Sequence, residues 1–330
     1  MPKLNPQLKL SADAFDVSKL EQVPTRNGFG EGVVSLGAQH ADVVVLCADL
    51  TDSTRVGYFK EKFPERFVQV GIAEQNMAVL AAGMAKEGKV PFISTYGVFC
   101  PGRNWDQVRI SIAYNNTNVK IAGAHTGISV GPDGATHQAM EDIALTRVLP
   151  GMTVLAPCDA IQTKQATEAA YAIDGPVYLR FAREKTPVFT TEETPFEIGK
   201  AQVLTEGTDV TVIGCGPLVH EALLAANILE GELSLEVINL HTIKPFDVES
   251  VVASAKKTGA VVTVEEHQVT GGLGGAVAEV LSEHLPTPMQ RVGMPDSFGE
   301  SGEPTELLEK YGMTAADIIE AAKAVAARKN

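Results

Sequence analysis

The short, wholly apolar run Val43-Val44-Val45-Leu46-Cys47 limits what this chain can fold into more than any other feature. It leaves no face for water, so it reads as a strand covered on both sides and therefore parallel to its neighbours. The same device recurs at Phe67-Val68-Gln69-Val70, Pro91-Phe92-Ile93-Ser94, Val119-Lys120-Ile121-Ala122, Met152-Thr153-Val154-Leu155 and Val177-Tyr178-Leu179. Helical stretches such as Glu74 to Lys86 and Glu141 to Val148 lie between these runs. Strand and helix alternating at this spacing predict an α/β fold with a mainly parallel sheet covered on both faces.

The rhythm breaks over 184–208, where Pro187, Pro195 and Thr190-Thr191-Glu192-Glu193-Thr194 read as a connection with room for a short edge strand. A smaller α/β unit follows, with strands expected at 209–213, 235–238, 261–264 and 289–292. A last helix is expected from about Ala315 to Arg328, behind a start signal at Thr314. A length of 330 residues exceeds what one core usually serves. The expected division is a first domain over 20–190, a connection over 191–208 and a second domain over 209–330.

The formal charge of −14, from 41 acids against 27 bases with no Lys/Arg cluster, argues against a nucleic-acid surface. It leaves room for a phosphorylated substrate, which one or two placed arginines can hold. Cys47, Cys100, Cys158 and Cys215 are far apart, and no Cys-x-x-Cys exists to build a zinc ribbon or a thioredoxin-like centre. No signal-peptide core opens the chain and no run has the length of a membrane helix, so the expected home is the cytoplasm.

Chemistry-bearing residues cluster early. In Gly71-Ile72-Ala73-Glu74-Gln75-Asn76 a carboxylate stands in the first turn of a helix that continues Met77-Ala78-Val79-Leu80-Ala81-Ala82. In water Glu74 would merely balance the helix dipole; at the head of a buried helix it would need a partner or a raised pKa. The loop 123–138, Gly-Ala-His-Thr-Gly-Ile-Ser-Val-Gly-Pro-Asp-Gly-Ala-Thr-His-Gln, follows a strand, where open α/β sheets bind ligands. Turn building accounts for Asp133 and its flanking glycines, but not for His125 and His137, which point to a polar substrate site. Arg180 and Arg183 flank another strand end, Arg26 begins a helix-like stretch and Arg103 follows a Pro-Gly turn. Each alone reads as a surface residue, or as a fork for phosphate. Tyr96 and Phe99 read as core packing or as a stacking platform. The run Gly271-Gly272-Leu273-Gly274-Gly275 misses dinucleotide spacing, and helix entry accounts for it without a cofactor.

Taken together, Phe63-Pro64-Glu65-Arg66, Gly71 to Asn76, Pro91 to Thr95, Asp133-Gly134-Ala135-Thr136-His137-Gln138, Ser297-Phe298-Gly299 and Tyr311-Gly312-Met313-Thr314 resemble the C-terminal section of transketolase. The likeness is to the form of that enzyme split into two subunits, and it runs from about Arg26 to the end. It implies a pyrimidine-binding domain followed by the transketolase C-terminal domain, with thiamine diphosphate as cofactor and transfer of a two-carbon ketol unit between sugar phosphates. Glu74 is then the acid that donates to N1′ of the aminopyrimidine, Phe99 stacks on that ring with Tyr96 beside it, and Asp49 is an acid at the subunit boundary. The resemblance further implies that His137 and Asp133 hold the donor's hydroxyls, and that Arg26, Ser53, His125 and Arg183 grip the phosphate, with Arg183 matching better than Arg180.

Where many full-length members place a tyrosine after the stacking phenylalanine, this chain has Pro101-Gly102-Arg103. No Gly-Asp-Gly occurs, so no metal ligand is expected here. The Mg²⁺ or Ca²⁺ and the diphosphate would belong to a separate N-terminal subunit in a two-plus-two assembly, the chain being inactive alone. Deoxyxylulose-phosphate synthase, a 2-oxo-acid dehydrogenase beta subunit and a non-catalytic remnant of the fold share parts of this layout. Asn76 and Gly123-Ala124-His125-Thr126-Gly127 lean toward transketolase, and the presence of Glu74, His125 and His137 speaks against a remnant.

Overall fold

A computed structural model describes residues 1–329. The first half runs β1 (Gln22–Pro24), α1 (Thr25–Gln39), β2 (Val43–Cys47), α2 (Gly57–Lys62), β3 (Phe67–Gln69), α3 (Glu74–Lys86) and β4 (Val90–Tyr96). It continues with α4 (Trp105–Gln107), β5 (Lys120–Ala124), α5 (Asp142–Arg147), β6 (Thr153–Leu155), α6 (Ala160–Tyr171), β7 (Val177–Arg180) and β8 (Lys185–Pro187). The second half runs β9 (Gln202–Thr205), β10 (Val210–Gly214), α7 (Val219–Leu229), β11 (Leu235–Asn239), β12 (Thr242–Lys244) and α8 (Val248–Thr258). It closes with β13 (Val261–Gln268), α9 (Leu273–His284), β14 (Met289–Met294), α10 (Pro304–Lys310) and α11 (Ala315–Ala326).

Two α/β layers result, as the alternation demanded. A seven-stranded sheet has the order β12-β6-β7-β5-β4-β2-β3, parallel except where β12 meets β6. A five-stranded sheet has the order β14-β13-β10-β11-β9, parallel except for the edge strand β9. Every residue of β2, β4, β5 and β10 is buried, as the unbroken apolar run of β2 demands and as holds even for Ser94, Thr95, Lys120 and Thr211 in the other three. α11 begins at a capping box, the Thr314 N–H donating to Asp317 Oδ2 at 2.8 Å.

Three features go beyond the sequence reading. The stretch read as connection holds the short edge strand it had room for, β9 at the edge of the second sheet, and also β8, which pairs antiparallel with β1. β12, which leaves the second sheet just after β11, crosses over and adds an antiparallel edge to the first. The opening residues, given no place by the sequence, belong to the core of the second half; Leu8, Ala14 and Leu20 share one buried apolar cluster with Val219, Leu223 and Val237. One apolar core also joins the sheets, with Ile93, Ile121 and Tyr178 clustered with Ile213, Ile238 and Ile243.

α3 differs from expectation too. Its composition is apolar almost all round, yet it buries one face, with Glu74, Met77, Ala78, Ala81 and Ala82 inward. Val79 and Leu80 on the other face, and Ile72 before the helix, are exposed large apolar residues.

Candidate active site

The carboxyl ends of β2, β4, β5 and β7 meet on one side of the large sheet, and the chemistry-bearing residues come from the segments that leave them. Asp49 and Ser53 follow β2, Tyr96 ends β4, and Phe99 and Arg103 lie in the turn beyond it. His125 follows β5, and Arg180 ends β7 just before Arg183. Glu74 opens α3 with no side-chain cap on that helix.

Five of these side chains, joined by His137 of the loop after β5, form a continuous series of contacts. The His125 ring stacks on Tyr96 with centroids 3.8 Å apart, and Tyr96 stacks on Phe99 at 5.9 Å. His137 meets Phe99 edge-on at 5.6 Å and Tyr96 at 5.9 Å, while its Nδ1 lies 2.8 Å from Thr136 Oγ1. The Arg103 guanidinium sits over Phe99, 4.5 Å from the ring centre, and Arg103 Nη1 donates to Glu74 Oε2 at 2.9 Å. Glu74 is 3% exposed, so its burial is met by a charge partner. Asn104 Nδ2 donates to the Glu74 carbonyl at 2.9 Å and ties the Arg103 turn to the start of α3. A cavity of about 190 Å³ opens here, lined by Asp49, Ile72, Glu74, Phe99 and Arg103 among others.

A second group is cationic. Arg26 Nη1 donates to the Ser53 carbonyl at 3.0 Å, and Arg55 Nε donates to Asn27 Oδ1 at 2.9 Å. Residues 26–27 are thereby stitched to 53–55. Burial, then Arg55 and Arg183, pull the Arg26 pKa down. Burial pushes His125 down to about 2, helped by Arg26, Arg183, His137 and Arg55, so this imidazole is neutral. Its Nδ1 is buried without a hydrogen-bond partner. Arg55, in a left-handed backbone conformation at φ 66, was not singled out in the sequence. It stands two residues beyond Ser53, and nothing but that proximity signals it.

The two arginines of β7's end part company. Arg180 Nε donates to Asp142 Oδ2 at 2.9 Å in a pair buried on both sides, and Arg180 Nη2 also reaches the Glu266 carbonyl. It is spent on structure. Arg183 is half-buried, donating to the Val130 carbonyl at 2.8 Å and pairing with Glu184 at 2.9 Å. Asp133 is exposed on the loop, and its backbone carbonyl accepts from Thr136 at 3.5 Å.

The second half of the chain forms the back of the loop 123–138. The Ser129 N–H donates to Glu266 Oε2 at 3.0 Å, and Gln138 Nε2 donates to the Glu300 carbonyl at 2.9 Å. Gly127 has φ 86, and a Cβ there would lie 2.3 Å from Glu266 Oε2, so both conformation and space require glycine. Gly299 of Ser297-Phe298-Gly299 packs so closely on Gln138 that a Cβ would fall 2.0 Å from its Oε1. The two distant motifs are one joint.

The glycine run at 271–275 starts α9, and its anion position is filled from within. Glu265 on β13 accepts the Leu273 N–H at 2.6 Å and the Gly274 N–H at 2.8 Å. Among the described residues, no three His, Cys, Asp or Glu side chains gather as a metal site, and no helix is long and apolar enough to cross a membrane.

Two family models match the chain: the transketolase pyrimidine-binding domain over residues 21–188 and the transketolase C-terminal domain over 199–318. A 6-deoxy-6-sulfo-D-fructose transketolase subunit, SqwH, from Clostridium sp. (strain MSTE9) is 45% identical over 317 residues, covering 96% of this chain and 98% of that protein. A putative transketolase C-terminal section from Methanocaldococcus jannaschii is 46% identical over 292 residues, 87% of this chain and 92% of its own. Among solved structures, a split-gene transketolase described as an inactive beta4 tetramer superposes with TM-score 0.88 at 48% identity, covering 93% of this chain and all 100% of its own.

Proposed function

Since this chain belongs to the transketolase family, we propose that it is the pyrimidine-binding and C-terminal half of a two-subunit enzyme. The reaction is transfer of a two-carbon ketol unit from a ketose phosphate to an aldose phosphate. The observation that carries this reading is the contact series Glu74–Arg103–Phe99–His137–Tyr96–His125 at the carboxyl ends of the large sheet. It sets a buried carboxylate and the Phe99 ring on one cavity, with Tyr96 and two imidazoles in contact behind that ring, a donor set that suits an aminopyrimidine.

Thiamine diphosphate, when bound, supplies an acidic carbon that adds to a ketose carbonyl and carries the two-carbon unit between sugars. Glu74 would hydrogen-bond the ring's N1′, and Phe99, with Tyr96 beside it, would form the wall on which the ring lies. Asp49 would face the boundary with the partner subunit. His137 and Asp133 would hold the donor's hydroxyls. Arg26 and Arg183, with Ser53 and His125, would grip the phosphate; the neutral His125 contributes a hydrogen bond there and the arginines contribute the charge.

The diphosphate and its Mg²⁺ or Ca²⁺ would be held by a separate N-terminal subunit, since this chain's half offers the pyrimidine site alone. The exposed strip of Ile72, Val79 and Leu80 suits burial in a two-plus-two assembly, and the described inactive tetramer of a similar split chain supports silence without the partner. The domain limits that go with this reading are 20–190 and 209–330, joined by 191–208. A reducing cytoplasm suits the four cysteines, all free and buried.

The test is glycolaldehyde transfer by the purified chain, with and without a diphosphate-domain subunit, in the presence of thiamine diphosphate and Mg²⁺. Activity restored only by that subunit supports the reading. Full activity of the lone chain would overturn it.

A further inference from the structure

Arg103 engages the two groups that the reading above gives to the cofactor's ring. Its Nη1 lies 2.9 Å from Glu74 Oε2, and its guanidinium lies 4.5 Å from the centre of the Phe99 ring. Among the described residues it is the one side chain that hydrogen-bonds the Glu74 carboxylate. A guanidinium is suited to both tasks, because its planar cation pairs with carboxylate and lies on aromatic faces. An aminopyrimidine makes the same two demands, a flat ring against Phe99 and a hydrogen bond with Glu74. Both groups border the same cavity of about 190 Å³.

We propose that Arg103 stands in for the cofactor's aminopyrimidine in the free subunit and must leave Glu74 and Phe99 for the ring to enter. This rests on the reading of Glu74 and Phe99 as the pyrimidine-binding pair. The two ends of the contact are unequal. Glu74 is 3% exposed and fixed on α3, whereas the Arg103 side chain is 47% exposed. The backbone beside it is pinned: Asn104 is fully buried, its side chain donates to the Glu74 carbonyl, and its N–H donates to the Phe99 carbonyl at 3.3 Å. Release is therefore a rotation of one half-exposed side chain, with no opening of the loop. Arg103 keeps the buried Glu74 carboxylate paired, so the site can stay folded when no ring is bound. The same contact opposes ligand entry.

The probe is 4-amino-5-hydroxymethyl-2-methylpyrimidine, the ring without its diphosphate, which needs neither metal nor partner subunit. Its affinity for the full chain is read by isothermal titration and by fluorescence of Trp105, the single tryptophan, two residues from Arg103. Arg103→Met should bind the probe about tenfold more tightly than the unaltered chain, the equivalent of one charge-assisted hydrogen bond removed from the competition. Added salt weakens an exposed-sided ion pair, so it should tighten probe binding by the unaltered chain and leave Arg103→Met unmoved. Arg103→Gln, which keeps a neutral donor, should fall between the two and guards against a folding defect in the first variant. Equal or weaker binding by folded Arg103→Met, absence of the salt effect, or no detectable binding by any form overturns the proposal. Glu74→Gln separates the two claims: loss of probe binding by Arg103→Met/Glu74→Gln relative to Arg103→Met upholds the pyrimidine-site reading. Unchanged binding in that double variant would overturn both.

Discussion

Arg180 and Arg183 stand three positions apart, and sequence alone offers both as phosphate ligands. Burial separates them. Arg180 pairs with Asp142 in a setting where neither side chain is more than 3% exposed, so Arg180→Ala strands a carboxylate in the core. Loss of about 3–5 kcal/mol of stability is expected, measured by denaturant unfolding. Arg183→Ala should leave the midpoint nearly unchanged and raise the KM of the assembled enzyme for a sugar phosphate far more than for the free sugar. If both substrates suffer alike, Arg183 has a packing role. Glu74→Gln should keep the fold and slow hydrogen–deuterium exchange at C2 of bound cofactor by about 10²- to 10⁴-fold, read by NMR in the assembled enzyme. An unchanged exchange rate would remove Glu74 from that role. The need of Glu74 for a partner was legible from its place at the head of a largely apolar helix. Its partner was not, because Arg103 is 29 residues away and arrives through the turn after β4.

Elements were legible where length and pattern agreed. α3 runs from Glu74 to Lys86 as read, and β2 keeps the ends its apolar run marks. β12 was not legible: three residues leave no periodicity to count, and a register shift accompanies its pairing with β6. β9, a four-residue edge strand inside a Pro- and Thr-rich stretch, was legible only as room for a short strand there, without its bounds or its partner. The glycines before α9 show how a motif can mislead. Their backbone N–H groups do face an anion, but it is the protein's own Glu265. Glu265→Ala should cost about 1–3 kcal/mol by leaving two buried donors unpaired, measured as a shift in unfolding free energy. Titration of NAD or ATP into either form should give no heat. Nucleotide binding that appears on removal of Glu265 would mean the carboxylate masks a true phosphate site.

At the scale of the whole molecule, burial holds three imidazoles neutral, with His125 down to about 2, His241 to about 3 and His220 to about 4. Each sits below the ordinary value of 6.5, so beneath that pH the unfolded chain takes up protons the folded chain refuses. Their stabilisation is complete above about pH 6.5 and lost progressively as the pH falls. Asp159, Glu221 and Glu266, raised by burial, act in the opposite sense, so the contribution of one histidine is best isolated by difference. Between about pH 7 and pH 5 the unaltered chain should lose about 2 kcal/mol more than His220→Gln, which keeps a donor near the Ala14 carbonyl. Parallel stability profiles would show that His220 protonates without unfolding.

β12 and the opening residues lace the halves together in opposite directions: Leu8 and Ala14 lodge in the second half, while Thr242–Lys244 completes the first sheet. A modular view of this chain, in which either part could be lent to a chimaera or expressed alone, therefore fails at the level of the thread. A scissor cut anywhere between 188 and 199 gives one fragment whose β6 lies bare along an edge and another stripped of its N-terminal wrapping. Such fragments should aggregate when made singly and recover a soluble fold only when made together, a result that sedimentation of the two preparations would register.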